Sequence, residues 1–192
     1  MVFDGIVFAI IVALLRGGNI NRFAFLKIRA ALVFPLLLFF QITIYFSQNK
    51  IPFIGMFSNL SFMIVYAIGL YFLWLNRELP GFIVIFIGVL LNFLVMGING
   101  GRMPVSIETS QILDPYYVEA LKNGLYGKHT AITEATKLTF LGDIIPIGYP
   151  YPRTQVISIG DIIMNIGAFI FIQHVMVAQK KLIPTKQVTP NA

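Results

Sequence analysis

Long runs of apolar residues, separated by shorter polar stretches, dominate the chain. Five runs predict helices, at residues 2–15, 30–46, 57–75, 80–98 and 157–178. A helix needs about 20 residues to cross about 30 Å of hydrocarbon, and the last three runs meet that length. The run 30–46 is slightly short and contains Pro35, and the run 2–15 is shorter still. We interpret both as membrane-spanning, and we expect local thinning of the bilayer at the run 2–15.

Composition agrees with this pattern. Hydrophobic residues make up 57% of the 192 residues and charged residues only 11%, whereas soluble domains carry about 25% charged residues. The chain therefore predicts an integral membrane protein with membrane lipids as its surroundings. The net charge of +6 comes largely from residues beside the apolar runs, where anionic headgroups attract them. We therefore expect no nucleic-acid partner. The absence of cysteine excludes disulfides and thiol chemistry.

The distribution of basic residues predicts the orientation. Short basic loops face the cytoplasm, whereas long loops count for little. The loop 16–29, the turn 76–79 and the tail carry eight basic residues: Arg16, Arg22, Lys27, Arg29, Arg77, Lys180, Lys181 and Lys186. We therefore expect the amino terminus outside, the carboxyl terminus in the cytoplasm, and residues 99–156 on the outer face.

The long polar segment 99–156 predicts a folded cap, because a structureless loop of this length is uncommon. Asp114 and Pro115 are typical of a helix start and predict a helix over 114–127. A second short helix is predicted at 131–140, followed by an extended, proline-rich return over 143–153.

The predicted fold class is all-α: a polytopic integral membrane protein with a five-helix transmembrane bundle and a small, partly helical extracytoplasmic cap. The predicted parts are transmembrane helices one to four, the cap, transmembrane helix five and a cytoplasmic tail, at 1–98, 99–156, 157–179 and 180–192.

Polar residues near the outer ends of the predicted helices form the candidate site. Asn92 and Asn99 lie seven apart on one face of a helix, and Asp161 and Asn165 lie four apart on another. One interpretation is packing through interhelical hydrogen bonds. The other is a pocket for a lipid phosphate or small anionic solute, because helix amino termini favour anions and Arg102 and Arg153 add charge. The predicted ligand-binding residues are Asn92, Asn99, Arg102, Asp161 and Asn165.

Some of these residues also have structural interpretations. Gly100 and Gly101 are typical of a helix end, and Ser158 with Asp161 matches a capping box. Asp143 and Asp161 could act as a paired acid and base, although Asp143 is more simply a turn residue. The two histidines are predicted on opposite sides of the membrane. We predict no catalytic residue, metal site or cofactor.

Three stretches carry a resemblance. "NGGRMPVS" at 99–106, "FLGDIIP" at 140–146 and "SIGDII" at 158–163 resemble an uncharacterised family of small bacterial multi-pass membrane proteins. The resemblance implies this arrangement of spans and a bacterial plasma membrane. It implies no established activity.

The sequence therefore favours a non-enzymatic role: an accessory or scaffold subunit that binds lipid or partner proteins through its outer face, in a larger membrane complex or a homo-oligomer. One alternative is a transporter or channel component for a small anionic or lipid-like molecule. A wholly apolar stretch from Phe82 through Leu91 counts against it. A second alternative is a membrane-embedded hydrolase that uses Asp143 and Asp161.

Overall fold

The protein is mostly helical. The computed structural model describes residues 2–48, 50–124, 127–151 and 153–177. The predicted tail 180–192 lies outside the described residues. The long helices are α1 (Val2–Leu15), α2 (Val33–Ser47), α3 (Pro52–Leu75), α4 (Phe82–Ile98) and α7 (Ile159–Val177). Between α4 and α7 lie β1 (Met103–Val105), α5 (Ile107–Ser110), α6 (Pro115–Lys122), β2 (His129–Ala131), β3 (Ile145–Ile147) and β4 (Gln155–Ile157). Two 3₁₀ helices cover Ile20–Phe25 and Thr139–Leu141.

All five helices predicted from the apolar runs are confirmed as helices. The largest difference is at α3, which starts at Pro52 rather than residue 57, because proline suits the first turn of a helix. Among the described residues, only α3 (Phe53–Leu75) and α7 are both long and apolar enough to cross a membrane on length and composition. The other three are shorter apolar helices of 14, 15 and 17 residues.

The long helices pack side by side in the order α2, α3, α4, α7, α1. The contact between α4 and α7 is close because glycines face each other across it. A Cβ atom at Gly88 would lie 2.5 Å from the Gly160 carbonyl oxygen, and one at Gly167 would lie 2.7 Å from the Gly81 carbonyl oxygen. Small residues let helix backbones approach in this way in membranes. We call this contact the glycine seam.

The segment between α4 and α7, residues 99–156, packs against one end of the row and is called the connecting segment. Met103 and Leu141 from this segment are buried with Phe62, Val95 and Met96 from α3 and α4. The segment thus continues the hydrophobic core of the helices. It is positioned by Gly100 and Gly101, whose φ angles of 72° and 80° belong to the left-handed region that glycine tolerates.

The connecting segment contains more strand than predicted. β1 pairs in parallel with β2, and β3 pairs antiparallel with β4. The predicted helix near 114–127 is confirmed as the shorter α6, which Asp114 caps by accepting from the Tyr116 N–H at 2.9 Å. The predicted extended return over 143–153 is confirmed only at β3, because the chain turns at Tyr149 and Pro150; Pro152 lies outside the described residues.

The predicted helix at 131–140 is wrong, apart from the short 3₁₀ turn at Thr139–Leu141. Thr136 Oγ1 accepts from the Thr133 N–H at 2.9 Å. Threonine side chains that bond nearby backbone in this way compete with helix formation. Leu138 has φ 50°, which a helix does not accommodate.

Side-chain hydrogen bonds also fix the opposite end of the row. Asn76, at the end of α3, accepts from the Arg29 N–H at 2.8 Å and donates to the Arg29 carbonyl at 3.0 Å. Arg16 donates to Gln173 Oε1 at 2.8 Å, and Gln173 Nε2 donates to the Ala9 carbonyl at 2.7 Å. The basic loops and the described end of α7 are therefore held together, away from the connecting segment.

Candidate functional site

The start of α7 is built as the sequence predicted. The Asp161 N–H donates to Ser158 Oγ at 3.0 Å, and the Ser158 N–H donates to Asp161 Oδ2 at 3.3 Å. This reciprocal pair is a capping box with aspartate at its third helical position. It satisfies two backbone donors and holds a carboxylate at the positive end of the helix dipole.

Asn92 of α4 connects to this cap across the glycine seam. Its Nδ2 donates to Asp161 Oδ1 at 3.1 Å, and its Oδ1 accepts from Ser158 Oγ at 3.0 Å. Asn92 is 2% exposed and Ser158 is fully buried. Both bonds join α4 to the start of α7, as the packing interpretation expects; the bond to Ser158 is buried and the bond to Asp161 is partly buried. Two of the predicted site residues, Asn92 and Asp161, are therefore brought together.

Asn165 is on the same helix but contacts a different neighbour. Its Nδ2 donates to the Asp161 carbonyl at 2.7 Å, while its side chain lies against Gly5 of α1. Its Oδ1 is buried and has no hydrogen-bond partner among the described residues. Asn165 therefore belongs to the contact between α1 and α7.

Asn99 and Arg102 hold the connecting segment in place. Asn99 Nδ2 donates to the Lys137 carbonyl at 2.9 Å, and its Oδ1 accepts from the Lys137 N–H at 3.0 Å. Arg102 Nε donates to Asn59 Oδ1 of α3 at 2.8 Å, and Nη1 donates to the Gly124 carbonyl at 3.2 Å. The five predicted ligand residues thus separate into an interhelical pair, an α1–α7 contact and two anchors.

Sequence reasoning missed a charged cluster beside the interhelical pair. Lys128 Nζ donates to Tyr66 Oη of α3 at 2.7 Å and lies 4.9 Å from the centre of that ring. His129 Nε2 lies 3.5 Å from Asp143 Oδ2. Asp143 is 6% exposed, and its Oδ1 has no hydrogen-bond partner among the described residues. The backbone of Asp143 bridges to Val105, so Asp143 is more than a turn residue.

The surroundings of these groups shift their pKa values. Burial, with repulsion from Asp161, raises the pKa of Asp143 from 3.8 to about 8, against the opposing attraction of Lys128. Burial acts to lower the pKa of Lys128, but Tyr66, Asp161 and Asp143 outweigh it and hold that pKa above the ordinary value of 10.5. At neutral pH the cluster therefore contains a protonated Asp143 beside a charged Lys128.

Hydrogen bonding limits the chemistry available to the interhelical pair and to the charged cluster beside it. Both Asp161 carboxylate oxygens accept bonds from the protein, so Asp161 is occupied. Within the described ranges, no three histidine, aspartate or glutamate side chains lie close enough to hold a metal ion. A weak sequence signal for the cluster was the adjacent pair Lys128 and His129, but nothing local indicated that Asp143 would lie against it.

Comparisons with known proteins agree with the resemblance. A family model described as a family of unknown function (DUF5317) matches residues 25–173. An uncharacterized protein from Thermotoga maritima is 40% identical over 126 residues, which cover 66% of this chain and 68% of that protein. No solved structure matches. The match includes α2 to α4, the connecting segment and most of α7, and the chain belongs to this family of unknown function.

Proposed function

We propose that the protein is a multi-pass protein of the bacterial plasma membrane, in which all five long helices cross the bilayer. The observation that carries this proposal is α2, which packs mainly against α3 and has Ile44 as its one buried residue. Leu36, Phe39 and Phe46 are 64%, 71% and 63% exposed. An apolar surface this broad is unusual in water and ordinary in lipid.

The lengths of the shorter helices fit a locally thin hydrocarbon layer. At 1.5 Å per residue, α1 with 14 residues is about 21 Å long and α4 with 17 residues is about 26 Å long. A shorter span is accommodated by thinning of the bilayer at a modest cost. The connecting segment buries residues against the carboxyl-terminal end of α4. The protein therefore extends beyond that end of the helix.

The orientation follows from the two ends of the row. Arg16, Arg29 and Arg77 lie at the end opposite the connecting segment, and short basic loops favour the cytoplasm. The connecting segment therefore forms a cap on the outer face, with the amino terminus outside and the carboxyl terminus in the cytoplasm.

The role that best fits this arrangement is a non-enzymatic accessory or scaffold subunit that binds a partner protein or lipid through its outer face. A surface groove of about 600 Å³ runs beside α6 on the cap, and its lining includes Leu113, Pro115, Val118, Glu119 and Lys122. Tyr116 on the same helix is 74% exposed. Exposed tyrosine beside mixed apolar and charged groups is typical of binding surfaces.

The two alternatives have less support. A transport path would have to continue past Asn92, but α4 is apolar between Phe82 and Leu91. The hydrolase alternative pairs Asp143 with Asp161, but both Asp161 carboxylate oxygens already accept hydrogen bonds within the protein. We therefore do not extend the proposal to either activity.

Cysteine labelling tests the membrane arrangement, because the chain contains no cysteine of its own. Glu119→Cys on the cap and Glu78→Cys in the turn after α3 are matched substitutions at exposed positions. A membrane-impermeant maleimide should label Glu119→Cys in cells with a permeable outer envelope, and Glu78→Cys only after the plasma membrane is opened. Equal labelling of both before opening would contradict the proposal.

Photocrosslinking tests the role. A benzophenone amino acid at Tyr116 should give a discrete protein or lipid adduct in native membranes. The same group at Glu134, also exposed on the cap and outside the groove lining, serves as a control for random encounters. Identical adduct patterns at the two positions, or none at Tyr116, would argue against binding through this groove.

A further inference from the structure

A narrow groove lies between α1 and α7. It has a volume of about 290 Å³ and is lined by Gly5, Phe8, Ile162, Asn165, Ile166 and Phe169. Nearly all of its surface is carbon. The rings of Phe8 and Phe169 stack at 6.3 Å and form one end. Its volume approaches the lower limit for sites that hold small molecules.

The sequence builds this groove by placing a glycine opposite an amide. A methyl group at Gly5 would overlap the Asn165 side chain, so only glycine lets Asn165 fit beneath α1. The Asn165 Nδ2 is already bonded to the Asp161 carbonyl. Apolar side chains from both helices then form walls above this floor, and Phe8 and Ile166 remain 61% and 51% exposed. The result is a recess between two helices rather than a flat helix face.

A cation lies at one end of the groove. Asp4, adjacent to Gly5, lies 3.7 Å from Arg153 Nη1, and the Arg153 side chain is 72% exposed. This separation is close to the distance limit for an ion pair. Because Arg153 is also exposed, the pair itself contributes little to stability. An exposed guanidinium of this kind suits planar, bidentate recognition of phosphate.

We propose that this groove binds one phospholipid, with an acyl chain along the α1–α7 recess and its phosphate at Arg153. The inference rests on the proposed membrane placement, which puts the groove in the hydrocarbon and Arg153 at the outer headgroup level. The exposed Arg153 guanidinium above an apolar groove matches an amphiphile with one phosphate head.

Quenching of tryptophan fluorescence by lipids with brominated chains tests the proposal. Trp74, the chain's one tryptophan, is replaced by phenylalanine, and Phe8→Trp places a reporter in the groove. Phe39→Trp on α2, at a position 71% exposed, is the matched control. Each protein is reconstituted in bilayers that contain either brominated phosphatidylglycerol or brominated diacylglycerol, which lacks phosphate.

The groove reporter should reach half-quenching at about fivefold less phospholipid than diacylglycerol, since one basic residue near the surface contributes roughly this factor. Arg153→Gln should remove the difference, and Phe39→Trp should show none. A groove reporter with no phosphate preference, or one whose preference survives Arg153→Gln, would overturn the inference. Ile166→Trp repeats the test from α7 if Phe8→Trp does not fold.

The outcomes separate the two proposals. If neither reporter is quenched by any brominated lipid, the helices are not in the bilayer and the proposed function fails. If Phe39→Trp is quenched and Phe8→Trp is not, protein covers the groove, and only the lipid site is refuted.

Discussion

Replacing Asn92 with leucine tests the polar contact between α4 and α7. Leucine has a similar size but removes both interhelical hydrogen bonds, to Asp161 Oδ1 at 3.1 Å and from Ser158 Oγ at 3.0 Å. Removal of one partner leaves a buried polar group unsatisfied, at about 1–3 kcal/mol each in proteins. Interhelical bonds in membranes average about 0.6 kcal/mol and reach about 1.7 kcal/mol. Because one acceptor is charged, we expect a loss of about 2 kcal/mol in unfolding free energy, or about 30-fold in the unfolding equilibrium.

The assay is equilibrium unfolding by SDS in mixed micelles, followed by circular dichroism. Asn21→Leu, at an exposed position, is the matched control and should change stability by less than about 0.5 kcal/mol. Ser158→Ala alone and combined with Asn92→Leu completes a double-mutant cycle, in which the combined loss should be smaller than the sum. A loss at Asn92→Leu equal to that of the control, or strict additivity in the cycle, would refute the reasoning.

Three further predictions concern the glycine seam, Asp143 and the two glycines that follow α4. Gly160→Ala should lower the unfolding free energy by more than about 2 kcal/mol through overpacking of the glycine seam. Gly69→Ala, with open space around its Cβ position, should leave the unfolding free energy unchanged or raise it by up to about 1 kcal/mol. Unfolding by SDS compares the two variants. Because folded Asp143 keeps its proton up to about pH 8 and the unfolded chain loses it near 3.8, unfolding free energy should fall as pH rises from about 4 to about 8. Asp143→Asn should reduce that slope, and an unchanged slope would exclude Asp143 as its source. Gly101→Ala should expose the connecting segment to trypsin more than Gly100→Ala does. A Cβ atom at Gly101 would lie 3.0 Å from the backbone of α3, whereas one at Gly100 would have open space around it. Equal digestion of the two variants would contradict this prediction.

The helices were predictable because a run of apolar residues indicates burial or lipid contact from the local sequence alone. The capping box of Ser158 and Asp161 was predictable for the same reason, since both partners lie within one turn. The strands of the connecting segment were not. Met103 pairs with His129, across 26 positions of chain, and no local pattern in three-residue strands specifies such a partner.

The candidate site was predictable only in part. Helical spacing indicated which polar residues share a face, and this brought Asn92 and Asp161 together. It could not show which neighbour each residue meets, so Asn165 lies at α1 and Asn99 clamps Lys137. The burial of Asp143 beside Lys128 and His129 depends on how the whole connecting segment folds back, which residue spacing does not encode.

The glycine seam has a consequence for biosynthesis. In the proposed membrane arrangement, Asn92 enters the bilayer many residues ahead of Ser158 and Asp161, its partners across the seam. In that arrangement, the Asn92 amide reaches the hydrocarbon before α7 supplies its partners, and polar groups there require hydrogen-bond partners. A ribosome that stops before residue 158 thus releases a chain with an unsatisfied amide in lipid, which membrane proteases could use to recognise unfinished copies.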